Sequence, residues 1–217
     1  MNRSDLRKRV KVLLRDPVTD PASESNLISN TDLNAILNER RFELHAHLST
    51  LFPQRFAAST TQTYAASSSV EALTAACQNT KILSIRARTS AQTVPYEYVN
   101  LRIISLQEAM GYDRNGPPTF AAIEAMTNIR LRPVPDVAYT LEIIYVPALS
   151  EMDDDADSPS ELPAAFHHVI AYAAAIQIKN MSEDPVGGLD AAYQAALSRL
   201  VAYMADLVDD QGLEGVS

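Results

Sequence analysis

The chain of 217 residues holds one cysteine, four histidines and six glycines, and each scarcity removes a class of protein. A lone Cys77 forms no internal disulfide and no cysteine-rich zinc site. It also has no histidine near it in sequence to act as an oriented base, so it reads as a buried structural thiol. Six glycines are few for a nucleotide enzyme. The close glycine pairs are Gly187-Gly188 and Gly111 with Gly116, so no phosphate-cradling loop can be drawn. No serine carries the glycines of a nucleophile elbow. No apolar run reaches the ~20 residues of a membrane helix. The most apolar stretch, residues 169–178, is short and is followed by Lys179. The opening Met1-Asn2-Arg3-Ser4-Asp5 lacks the apolar core of a secretory signal. Positive charge is scarce too. Eighteen Lys and Arg stand against 27 Asp and Glu, a formal charge of −9, which argues against a duplex-binding protein. The expectation is a soluble, intracellular, acidic protein with no membrane contact.

What is present is the composition of a folded chain. Hydrophobic residues make up 47%, enough for a sizeable core at this length. Residues 1–53 have helical periodicity. Ser4 is placed to cap a helix with Leu6, Val10, Leu13 and Leu14 inward, ended by Asp16-Pro17. A second helix starts near Ser29, with Asp32 at capping-box spacing and a stripe of Leu33, Ile36, Leu37, Leu44, Leu48 and Leu51. Phe52-Pro53 closes it.

Residues 54–149 change to a period near two. Ile82 to Arg88, Tyr96 to Leu101, Ile129 to Arg132 and Tyr139 to Val146 read as strands, with weaker ones at Thr63 to Ala66 and Phe120 to Ile123. Val70 to Ala76 reads as a short helix if it is not part of that sheet. Leu106 to Met110 has room for one helical turn before Gly111. Arg114-Asn115-Gly116-Pro117-Pro118 is a turn. Pro133-Val134-Pro135-Asp136 reads as the connection of a hairpin between the two best strands. An antiparallel β-subdomain of five to seven strands is expected.

Residues 150–208 return to helix after an acidic loop, residues 151–157. One helix is expected from Leu162-Pro163, apolar on most faces and rich in alanine, and so buried on most faces. After Asp184-Pro185-Val186-Gly187-Gly188, the last helix runs from 190 to 209 with a stripe of Tyr193, Leu197, Leu200, Met204 and Leu207. Residues 209–217 are expected to form a flexible tail. Neither helical pair buries its stripe alone. The predicted fold is α+β: a four-helix bundle made from the two terminal pairs, 1–53 and 150–208, with an inserted antiparallel β-subdomain.

No catalytic, cofactor-binding or metal constellation emerges. His45 with His47 and His167 with His168 are spaced two and one, whereas paired ligands on one helix face need four. Asp153, Asp155 and Asp157 match the start of a calcium loop. Ser158 stands where glycine is needed and Ala164 where glutamate is, so the loop reads as solvated. The sharper signal is charge segregation. Arg3, Arg7, Lys8, Arg9, Lys11 and Arg15 make the first helix basic in an acidic chain. Arg7, Arg9, Lys11 and Arg15 are therefore candidate interface residues, with Asp153, Asp154 and Asp155 as acidic candidates and Asp209, Asp210 and Leu213 as candidates at the end of the last helix and in the tail.

The order of features resembles the head-to-tail adaptor (connector, or head-completion) proteins of short-tailed bacteriophages. The resemblance rests on several stretches. They are the capped helix Ser29-Asn30-Thr31-Asp32-Leu33, the module Gly116-Pro117-Pro118-Thr119-Phe120 with Ile129 to Asp136, the strand Tyr139 to Val146, and Leu162-Pro163 leading to His167-His168. It covers residues 4 to 207. It implies a structural virion protein at the head–tail junction, assembled in the host cytoplasm. It further implies a homo-oligomeric ring of twelve subunits that binds the portal protein on one side and tail nozzle, tube or fibre proteins on the other. DNA would pass through without sequence-specific binding during genome ejection. The resemblance also places the last helix and tail against the portal. Other readings are a tail-completion or chaperone-like binding module, and a metal-dependent enzyme built from His47, His167, His168 and the acidic loop.

Overall fold

The computed structural model describes residues 1–16, 20, 22–23, 27–91 and 98–212, with side chains described up to residue 207. It is an α+β chain that divides into two compact units. One is Met1–Arg55 with Leu149–Ser217; the other is Phe56–Ala148.

The first unit is helical: α1 (Arg3–Leu14), α2 (Asn30–Leu51), α4 (His168–Met181) and α5 (Leu189–Gly212). The cap of α1 is Asn2 and not Ser4. Asn2 Oδ1 accepts from the Asp5 amide at 2.8 Å, and the Asn2 amide donates to Asp5 Oδ2 at 3.1 Å. Asn caps as well as Ser, and Asp5 completes the reciprocal box, so the helix gains its first turn earlier. Ser29 caps α2 through the Asp32 amide at 3.1 Å. Leu6, Val10, Leu33, Leu37 and Leu48 are fully buried, whereas Leu51 at the end of its stripe is exposed.

The alanine-rich helix α4 is the centre of this unit, and α1, α2 and α5 each pack on it. Its buried residues, Val169, Ile170, Ala171, Ala174, Ala175 and Ile178, lie on several faces. It starts later than Leu162-Pro163. Pro163 is extended (ψ 137°) and heads a single 3-10 turn, Ala164–Phe166, before the α-helix begins at His168. At the other end, α5 continues through Gly212, so 209–212 is helix where a tail was expected; 213–217 lie outside the described residues.

The second unit holds α3 (Leu106–Met110) and, among the described residues, seven strands: β1 (Ala58–Tyr64), β2 (Glu71–Ala72), β3 (Lys81–Thr89), β4 (Val99–Ile103), β5 (Phe120–Glu124), β6 (Asn128–Arg132) and β7 (Tyr139–Val146). The strand order is β1-β7-β3-β4-β5-β6-β2. Three expectations are corrected here. The sheet is mixed, because β4 and β5 run parallel through Arg102↔Phe120 and Ile103↔Ala121. β6 and β7 are not a hairpin: β6 turns back on β5, while β7 lies between β1 and β3. Strand β7 is inward on alternate positions, and its place between β1 and β3 gives its buried Leu141 and Ile143 neighbours on both sides. Residues 70–76 form no helix but β2 followed by a 3-10 turn at Ala75–Cys77. The weak strand expected at Thr63 begins at Ala58, and the strand expected from Tyr96 begins at Val99, with Tyr96 itself outside the described residues.

The two edges of this sheet approach each other. Tyr64 of β1 is fully buried, and its hydroxyl accepts from the Leu131 amide of β6 at 3.3 Å. The Gln62 side chain donates to Ala72 O at 3.2 Å and accepts from the Thr74 amide at 3.0 Å. The sheet therefore curls around a core that includes Ile85, Leu101, Ile129, Leu131, Leu141 and Ile143. Side chains replace the backbone ladder that full closure would supply.

Candidate assembly interface

Charge divides between the units. Phe56–Ala148 holds seven Lys and Arg and seven Asp and Glu, so the whole formal charge of −9 falls on the helical unit. Within that unit, the basic helix and the acidic loop meet in the same chain. The loop backbone satisfies the first turn of α1: the Arg3 amide donates to Asp157 O at 2.7 Å and the Ser4 amide to Asp155 O at 3.3 Å. Side chains add to this. Arg7 forks onto Asp155, Nη1 to Oδ1 at 2.8 Å and Nη2 to Oδ2 at 2.6 Å, and Arg3 Nη2 reaches Oδ1 at 2.9 Å. Hydrogen bonds from Arg7 and then Arg3 hold the Asp155 carboxyl at a pKa of about 2.

Of the four basic candidates, two are spent inside the chain. Arg7 is buried. Lys11 is fully buried, with Nζ donating to the carbonyls of Asp20 at 2.9 Å and Ser23 at 2.5 Å. A lysine head that satisfies loop carbonyls is not available to a partner. Arg9 and Arg15 are exposed. Arg9 lies over the Tyr172 ring, 6.0 Å from its centroid, and Arg15 forms the left-handed C-cap of α1 at φ 58°. Among the acidic candidates, Asp155 is bound by arginine, while Asp153 and Asp154 are exposed. Asp209 and Asp210 are in the last turns of α5, and Leu213 lies outside the described residues.

A second buried ion pair fixes α2. Arg41 and Glu161 meet through Nε–Oε1 at 2.7 Å and Nη2–Oε2 at 2.8 Å, with Arg41 Nη1 on Ser150 O at 2.8 Å. Both side chains are under one-tenth exposed. Asn38 Oδ1 accepts from the Met152 amide at 3.0 Å beside it. Partners 109 to 120 residues apart leave no local signal, which is why no sequence pattern marks them.

The histidines are dispersed. His167 is buried, with Nε2 donating to Leu162 O at 3.0 Å. His168 meets Tyr172 edge-on with centroids 5.8 Å apart. His47 lines a groove of about 380 Å³ between α2, α4 and α5, with Leu44, Ala173 and Tyr193. Among the described residues, no three His, Cys, Asp or Glu side chains are grouped to hold a metal ion, and no helix is long and apolar enough to cross a membrane.

The helical unit is pinned by internal ion pairs and leaves Arg9, Arg15, Asp153 and Asp154 on its surface. The chain belongs to the SU10 adaptor protein family, whose model matches residues 1–214. It is a phage structural adaptor, a virion protein and not a member of an enzyme family. No curated protein matches it.

Proposed function

We propose that this adaptor forms a ring that joins the portal vertex of a short-tailed phage to its tail and continues the DNA channel. The observation that carries the reading is the family match across nearly the whole chain. The ring would have twelve copies at the head–tail junction, assembled in the host cytoplasm, with portal protein on one side and tail nozzle, tube or fibre proteins on the other. The helical pairs 1–53 and 150–208 would act as one four-helix bundle and 54–149 as an inserted β-subdomain. The net charge of −9 supports a conduit role, since a negative wall repels phosphates and lets DNA slide without sticking.

The exposed candidates, Arg9, Arg15, Asp153 and Asp154, are offered as contact residues between ring components. The last helix and the segment from Asp209 and Asp210 through Leu213 are offered as the portal-facing element. The test is co-sedimentation of the chain with the portal ring encoded by the same genome, followed by imaging of the complex. A saturable ring of added mass at one end of the portal is expected. Two folded proteins that fail to bind at micromolar concentration would overturn portal docking and favour a tail-completion or chaperone-like role.

A further inference from the structure

We infer that, in the ring proposed above and resting on that reading, the exposed face of α1 in one copy packs antiparallel on the exposed face of α2 in the next. With Arg7 and Lys11 buried and Arg9 lying over the Tyr172 ring, the remaining exposed residues beyond Asp5 are Lys8 and Val12 of α1 and its C-cap residue Arg15, at i, i+4 and i+7. All three are exposed, and Val12 is 48% exposed at the centre. Neither cation has an ion pair among the described residues. On α2, the residues Asp32, Ala35 and Glu39 are exposed at i, i+3 and i+7. Glu39 is half exposed, with Oε2 accepting from Gln177 Nε2 at 2.9 Å and Oε1 3.6 Å from Arg40 Nη2.

Each stripe spans eight residues, seven steps of about 1.5 Å or about 10.5 Å along the axis. Laid antiparallel, they match at every position: Lys8 on Glu39, Val12 on Ala35, Arg15 on Asp32. The parallel register also pairs the charges, but it sets Val12 against Ile36, which is buried in its own core. Antiparallel packing meets Ala35 instead, whose small side chain admits a close helix approach. It also opposes the two helix dipoles. The result is an apolar centre with a charged rim, the usual plan of an interface.

The occupant is a second copy because the complementarity lies between two surfaces of one chain. Those surfaces do not satisfy each other within the copy: there α1 meets α2 through Arg7 and Asn34 at 3.1 Å, and both stripes stay in solvent. A contact between different faces of identical copies propagates and can close into a ring.

The test uses two charge-reversed full chains, Lys8→Glu with Arg15→Glu, and Asp32→Lys with Glu39→Lys. Assembly is followed by sedimentation velocity with the portal ring present, and folding by circular dichroism. Each variant alone sets like charges against each other and should need at least about tenfold more protein for half-assembly. The equimolar mixture restores every opposite pair and should assemble as the wild type does. As a charge-independent readout, Val12→Cys with Ala35→Cys should cross-link copies on oxidation. Variants that assemble like the wild type, a mixture of folded variants that stays unassembled, or no cross-link between assembled copies would each overturn the contact. A wild-type chain that never assembles would instead overturn the ring reading, and the contact with it. A cross-linked pair in place of a ring would uphold the contact and overturn the ring.

Discussion

Arg7 and Asp155, 148 positions apart, share a two-pronged ion pair that ties the basic helix to the acidic loop. Arg7 is buried, while half of the Asp155 side chain remains in solvent. The pair is therefore asymmetric: losing the carboxylate takes the charged partner from a buried guanidinium, which also donates to Asn34 Oδ1 at 3.1 Å. Asp155→Ala should destabilise the helical unit by about 2 kcal/mol, read from urea unfolding followed by helical circular dichroism. Asp155→Asn, which keeps one acceptor, should cost less. Equal stability of wild type and Asp155→Ala would show that the pairing contributes nothing.

The same pair sets a pH dependence. The arginines hold the Asp155 carboxyl at about 2, below its ordinary 3.8. The unfolded chain therefore binds the proton first as pH falls. The stabilisation is complete above pH 3.8 and is lost progressively as pH falls through about 2. Asp155→Asn should flatten that part of the stability profile, and NMR titration of the carboxyl should give a midpoint well below the usual aspartate range. A midpoint near 3.8 would contradict the assignment.

Arg41 and Glu161 give the opposite case, a pair in which both partners are buried. Arg41→Met leaves Glu161 as an uncompensated buried charge and should cost about 3–5 kcal/mol. Arg41→Met combined with Glu161→Leu removes both charges and should be less destabilising than Arg41→Met alone. A double variant whose cost equals the sum of the singles would mean that the two side chains act independently.

The two ion pairs also mark where sequence reading stops. Local periodicity located α1, α2 and α5, because Leu6 with Val10, Leu33 with Leu37, and Leu200 with Met204 repeat at helical spacing within each element. It located β7 because Tyr139, Leu141, Ile143 and Tyr145 alternate inward. Strand neighbours were beyond it. Alternation says which face of β7 is buried, not that β1 and β3 flank it. The basic run on α1 was visible, but burial of Arg7 and Lys11 was not, because Asp155 and the Asp20 and Ser23 carbonyls approach only in the folded chain. The i, i+4, i+7 stripe of Lys8, Val12 and Arg15 was present in the sequence. It becomes distinguishable from the rest of that run only once its neighbours are known to be buried.

Tyr64 tests how the curled sheet is held. Its hydroxyl accepts from the Leu131 amide in a site with no exposure. Tyr64→Phe keeps the ring and strands that amide, so it should cost about 1–3 kcal/mol. Gln62→Ala removes one link to β2 and one to Thr74 just after it, and should cost about 1 kcal/mol for each link. Hydrogen exchange at Leu131 and Thr74 should quicken in the respective variants. Unchanged exchange at both would mean that closure of the sheet does not depend on these side chains.

Cys77 offers a built-in reporter for the same unit. The thiol is fully buried, and burial raises its pKa above the ordinary 9.0. The reactive thiolate is thus scarce as well as inaccessible. A thiol reagent should label native protein at least about 100-fold more slowly than protein in urea, because reaction waits for the β-unit to open. Labelling measured against urea then gives the unfolding curve of Phe56–Ala148, while helical circular dichroism is dominated by the other unit. Tyr64→Phe should shift the labelling curve to lower urea and leave the helical signal nearly unchanged, and Asp155→Ala should do the reverse. If either substitution moves both curves equally, the two units unfold as one cooperative body, and the stabilities assigned above to each belong to the whole chain.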